Sequence, residues 1–149
     1  MSRLHIFHHF LFVALAYSQN DLELTWGQEQ SPFLNDDVHQ QFPDAVIGDD
    51  GSIHIVWLER DGNQKSIMYC KSSDGAQSFT QPQQVNYSNN IIIAYMQSGP
   101  RIRAFEGKLY VTFMMHDETD YQSVFMSCSF NSGETWNEEV EISHQPHIN

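Results

Sequence analysis

Eight residues have the chemistry to meet a polar ligand: Arg60, Asp61, Arg101, Arg103, His116, Asp117, Asp120 and Tyr121. Guanidinium groups donate in a fixed fork, carboxylates accept, and an imidazole or phenol does either. Other chemistries find no support in the spacing. His39, His54, His116, His144 and His147 lack the paired spacing of zinc ligands. The run "DETDYQ" (residues 117–122) has neither the Gly nor the closing Glu of a calcium loop. There is no Gly-rich phosphate loop and no nucleophile elbow, so no cofactor or metal is expected.

The elements that must position these residues come from an internal repeat. "FPDAVIGDDGSIHIVWLERDGNQKSIMYCKSSDGAQSFTQPQQVN" aligns with "GPRIRAFEGKLYVTFMMHDETDYQSVFMSCSFNSGETWNEEVEIS" at an offset of 56 to 57 positions. Pro43 falls over Pro100, Gly51 over Gly107, Trp57 over Phe113 and Phe79 over Trp136. Each unit breaks into four short runs rich in Ile, Val, Tyr and Phe, separated by turns of Gly, Asp and Asn. No amphipathic helical period is visible after the first residues. The fold class expected is all-β, with two four-stranded antiparallel β-propeller blades at residues 42–87 and 100–143. A lead-in precedes them at 19–41, a crossover joins them at 88–99, and a tail follows at 144–149.

Within each unit an octet links the third and fourth runs: "SSDGAQSF" (72–79) and "SFNSGETW" (129–136). Ser72, Asp74, Ser129 and Asn131 can accept hydrogen bonds from the turn's own amides. Gly133 can take a positive φ, whereas Ala76 in the matching place implies some strain. Phe79 and Trp136 fold back over apolar neighbours. Turns of an up-and-down sheet alternate between its ends, so the octets share an end with "DDG" and "EGK". The opposite end carries Glu59, Arg60, Asp61, His116, Asp117, Glu118, Asp120 and Tyr121. Arg101 and Arg103 lie apart from these, on one face of a single strand.

The octets resemble the Asp-box, or bacterial neuraminidase repeat, S-x-D-x-G-x-T-W, of sialidase-like propellers. The second matches almost completely, with Asn131 in the Asp place, and the first departs at Ala76 and ends in Phe79 rather than Trp. The resemblance implies a propeller of roughly six blades, with ligands bound at the end away from the octets and glycans as partners. It implies an activity less directly. Sialidases hold the substrate carboxylate with three arginines drawn from separate blades, and they use a Tyr–Glu nucleophile pair with a separate acid. Here Arg101 and Arg103 share one strand, and the "RIP" signature is absent, since "PRIRAF" has no Pro after Arg-Ile. No catalytic residue carries over. Three functions stay open: glycan recognition by an exported sialidase-like protein, the N-terminal part of an exo-sialidase, and a structural surface protein.

The remaining features concern location and partners. "MSRLHIFHHFLFVALAYSQN" has a positive start, a short apolar run, and small residues at Ala16 and Ser18. That is the layout of a secretory signal over residues 1–18, although the run would also serve as a buried first element. The expected location is therefore extracellular or periplasmic, with no membrane span. A net charge of −12 disfavours nucleic acid and anionic lipid. Cys70 and Cys128 are too few for a disulfide framework and are expected as free buried thiols. "NYS" at Asn86 is a glycosylation sequon. Two blades alone would leave apolar faces bare, so the chain is expected to be a piece of a longer protein or to close a ring by association.

Overall fold

The computed structural model describes residues 37–88, 92–94, 98–116 and 121–143. They form an all-β structure of antiparallel strands, with no helix among the described residues. The first sheet is ordered β1 (His39–Ile47), β2 (Ile53–Asp61), β3 (Gln64–Ser72), β4 (Gln83–Gln84). In the second, β7 (Lys108–His116), β8 (Gln122–Ser129) and β9 (Val140–Glu141) follow in line. Both β5 (Ile92–Ile93) and β6 (Arg101–Phe105) pair with β7. Turn chemistry sets the hairpins. Glu106 and Gly107, at φ 50° and 71°, both occupy the left-handed region that a two-residue primed turn between β6 and β7 requires.

The edge strand that opens each sheet, its inner strand, is interrupted at the same place. In the first sheet the ladder slips between Gln41, opposite Leu58, and Asp44, opposite Val56. In the second, Ile93 lies opposite Met114 and Arg101 opposite Thr112. The bulge that spans two residues in the first sheet thus corresponds to the seven positions 94–100 of the second, of which 94 and 98–100 are described. Residues 92–93, expected in the crossover, are thus the upper half of the second sheet's inner strand. β1 likewise begins at His39, inside the expected lead-in. Phe42 takes a φ of 53°, and a methyl on Gly99 would run into its Cβ, so the two interruptions nest on each other.

The outer strands are shorter than the runs "PQQVN" and "EEVEIS" suggest, for a reason that also repeats. Asn86 Oδ1 accepts from Ile67 N at 2.8 Å, and Ser143 Oγ accepts from Val124 N at 2.6 Å. In each sheet a side chain replaces the carbonyl that would continue the ladder. Asn86 is consequently buried, with its amide nitrogen donating to Ser88 O at 3.3 Å. The sequon is therefore closed to modification in the folded chain.

The core lies between the sheets. Val56, Leu58, Ile67 and Tyr69 of the first sheet meet Ile102, Leu109, Val111, Phe113 and Met115 of the second. Burying each such side chain contributes about 1.5–3 kcal/mol. β2 is buried on both faces from His54 to Leu58, as expected of a sheet covered on each side. β7 instead alternates buried and half-buried residues. Both cysteines are free. Burial pushes the Cys70 thiol up to about 12. Cys128 is half-buried rather than buried, because it aligns with Lys71 and not with Cys70, and so lies on the opposite face of its sheet.

Candidate functional site

The two octets build nearly the same hydrogen-bonded turn. In the first, Asp74 Oδ1 accepts from Gln77 N at 3.0 Å and Ser78 N at 2.9 Å, and Asp74 Oδ2 accepts from Ser78 Oγ at 2.6 Å. Ser72 Oγ accepts from Ala76 N at 2.9 Å. In the second, Asn131 Oδ1 accepts from Thr135 N at 3.0 Å, and Ser129 Oγ accepts from Gly133 N at 2.8 Å. Asn131 Nδ2 donates to Thr135 Oγ1 at 2.9 Å, where Asp74 can only accept.

Hydrogen bonds from the Ser78 hydroxyl and amide hold the Asp74 carboxyl at about 2, below its ordinary 3.8. A depressed carboxyl contributes stability that is present above 3.8 and is lost as pH falls toward 2. Asp74→Asn, which copies the residue already at 131, is expected to flatten the fall in melting temperature over that window. An unchanged acid slope in the variant would show that Asp74 does not carry it.

Beneath the second octet sits a lock between the sheets that sequence reasoning did not identify. Tyr69 Oη lies 2.7 Å from His54 Nδ1, and the two rings stack with centroids 6.0 Å apart. The Tyr69 ring meets Trp136 edge-on at 5.0 Å and 72°. Burial raises the Tyr69 phenol and lowers the His54 imidazole, so both are neutral at ordinary pH. Held by His54 and packed edge-on against Trp136, this phenol ties the first sheet to the second. A second clasp joins the outer rim. Glu139 accepts from Tyr87 N at 2.8 Å and Ser88 N at 2.7 Å, and Tyr87 Oη donates to Trp136 O at 2.7 Å. Burial pushes the Glu139 carboxyl up, but these hydrogen bonds outweigh it and hold the group below its ordinary value.

The eight candidate residues divide into two groups. Arg60 and Asp61 end β2 at the hairpin opposite the octets, with Arg60 Nε donating to Gly62 O at 2.9 Å. His116 ends β7 at the same end of its own sheet, and exposed Tyr121 follows in the connection to β8. Asp117 and Asp120 lie outside the described residues. Arg101 and Arg103 stand lower, on the inner strand β6. There the structure adds a residue that the sequence did not single out. Asp44 on β1 accepts from Ile102 N at 3.0 Å and from Arg103 Nη1 at 3.1 Å, both through Oδ2. The one available signal was its alignment: Asp44, after Pro43, falls over Arg101, after Pro100.

This inner-strand group offers hydrogen-bonding atoms of both kinds, an acceptor on Asp44 and a donor on Arg101. Two donors orient Asp44, while its Oδ1 has no partner among the described residues and remains an acceptor. Arg101 is exposed and donates to nothing described. Both sit beside the paired bulges, a place where strands commonly re-aim side chains toward a ligand. Among the described residues no group of His, Cys, Asp or Glu is gathered as a metal site.

No family model matches the chain, and no curated protein matches its sequence. In structure it is similar to Zg3597, a family 117 glycoside hydrolase produced by the marine bacterium Zobellia galactanivorans. The TM-score is 0.52 at 15% sequence identity, over 75% of this chain and 42% of that one. The likeness concerns the fold, and the chain spans less than half the length of that protein.

Proposed function

We propose that the chain is part of an exported, sialidase-like Asp-box propeller that binds glycans through the inner strands β1 and β6. The carrying observation is the Asp44–Arg103 pair with Arg101 beside it: an oriented acceptor and an exposed donor next to a doubled bulge. The matched octet turns support the propeller family, and the fold likeness to a glycoside hydrolase supports a saccharide as ligand. Export would come from the signal-like residues 1–18.

Glycan-array binding by the full chain, followed by titration of the best saccharide, tests this. Arg101→Ala is expected to weaken binding by roughly 10- to 100-fold, the loss of one charge-assisted hydrogen bond. Asp44→Asn should have a comparable effect, with an unchanged melting temperature of Arg101→Ala confirming that the fold is intact. Release of fluorophore from a sialoside would move the assignment to an exo-sialidase. Neither binding nor hydrolysis would overturn the proposal in favour of a structural surface protein.

A further inference from the structure

We infer that the His54–Tyr69 pair beneath the second octet is an acid-sensitive latch between the sheets: a proton on His54 reverses its hydrogen bond with Tyr69 and loosens the second octet while leaving the first in place. The latch works whatever the chain binds.

One proton decides the contact. His54 is 2% exposed and Tyr69 1%, their rings stack, and Tyr69 Oη lies 2.7 Å from His54 Nδ1. A neutral imidazole keeps one ring nitrogen as an acceptor, so Nδ1 can accept from the Tyr69 hydroxyl. Nε2 faces the turn between β1 and β2, where a methyl on Gly48 would meet both Nε2 and Asp50 Oδ1. An imidazolium donates from both nitrogens. Nδ1 would then donate to Tyr69 Oη, and the hydroxyl would have to turn to Ser132 O, at 3.4 Å the acceptor left to it among the described residues. The second octet is gripped through this same phenol, which Gly133 approaches closely and Trp136 meets edge-on. The first octet instead closes on its own Ser72 and Asp74, and so serves as a reference within the chain.

Few charges face the pair. Lys71 lies across the ladder from His54 on β3, and Val46 on β1. Asp50 in the turn pairs with Lys71 at 3.5 Å. Asp49 of the same turn accepts from Gly107 N at 3.2 Å, and Asp44, beyond Val46 on β1, pairs with Arg103. The covering octet brings Ser132, Gly133 and Trp136, which do not titrate, and its Glu134 is exposed. Burial holds His54 below its ordinary 6.5 and Lys71 adds to this, against a smaller opposite pull from Asp50. A base held down in the folded state gives stability that is whole above 6.5 and is lost as the pH falls below it. Asp74 and Glu139 titrate lower, since hydrogen bonds hold their carboxyls below 3.8 and 4.5.

Hydrogen exchange of the full chain, corrected for intrinsic rates and read at about one pH unit above and below the ordinary histidine value, tests the latch. Protection of the Gly133 and Thr135 amides is expected to fall about tenfold between the two conditions, the factor that applies when only the open form takes the proton. The Ala76 and Ser78 amides of the first octet should hold. His54→Asn sets an uncharged amide oxygen near the place of Nδ1 and should abolish the difference. An equal change in both octets, no change in the second, or a fall that persists in His54→Asn would overturn the inference. Should that variant not fold, the two octets of the unmutated chain still decide the point.

Discussion

Gly133→Ala is expected to destabilise the chain by about 3 kcal/mol or more, while Gly75→Ala costs about 1 kcal/mol. Two effects combine at Gly133. Its φ of 87° lies in the left-handed region, which costs an L side chain roughly 1–2 kcal/mol. The added methyl would also run into Tyr69 Oη and Cζ. Tyr69 cannot give way, since His54 holds its hydroxyl and Trp136 flanks its ring. Overpacking of that kind costs about 1–3 kcal/mol. Ala76 isolates the first effect, because it matches Gly133 in the repeat and already sits at φ 69°. Backbone strain alone is thus tolerated in the first octet, where Gly75 has open space around it. Urea midpoints of the two variants would settle the comparison. Similar midpoints for Gly133→Ala and Gly75→Ala would refute the lock. With Tyr69→Ala added, the Gly133→Ala cost should shrink, as coupling between contacting residues requires.

Trp136→Ala is expected to cost about 3–5 kcal/mol, against about 1 kcal/mol for Phe79→Ala. Both residues close an octet, yet Trp136 is only 4% exposed and belongs to the inter-sheet core, while Phe79 is half-exposed. The indole N–H of Trp136 is buried without a partner among the described residues. Trp136→Phe therefore removes an unsatisfied donor along with some packing, and its cost should fall between the other two. Equal losses for Trp136→Ala and Phe79→Ala would mean that each aromatic serves only its own turn.

Much of the architecture was legible because it is written locally and written twice. Runs such as "IHIVWL" and "KLYVTF", with "DGN" and "EGK" between them, specify hairpins through neighbours a few residues apart. The octets were legible for the same reason, since Asp74 and Asn131 bond amides no more than four positions away. The outer strands were read too long because nothing in "PQQVN" shows that Asn86 will take a backbone partner's place. The inner strand was misplaced because its halves, Ile92–Ile93 and Arg101–Phe105, are separated in sequence and rejoined only by β7.

The residues of the proposed site are conspicuous in the sequence by type, whereas their grouping comes only from the fold. Arg101 and Arg103 stood out as two of the few arginines, yet Asp44, the partner of Arg103, is 59 positions from it and carried no local signal. The amino-acid sequence by itself determined the strand class, the repeat and the turn chemistry, all of which depend on short-range periodicity and on what each side chain can bond nearby. Only the tertiary structure decided which octet aromatic is buried, that Tyr69 makes Gly133 indispensable, and that Asp44 faces Arg103. Those outcomes depend on which faces meet when one sheet packs on the next, and that contact joins residues too distant in the chain for any local pattern to record.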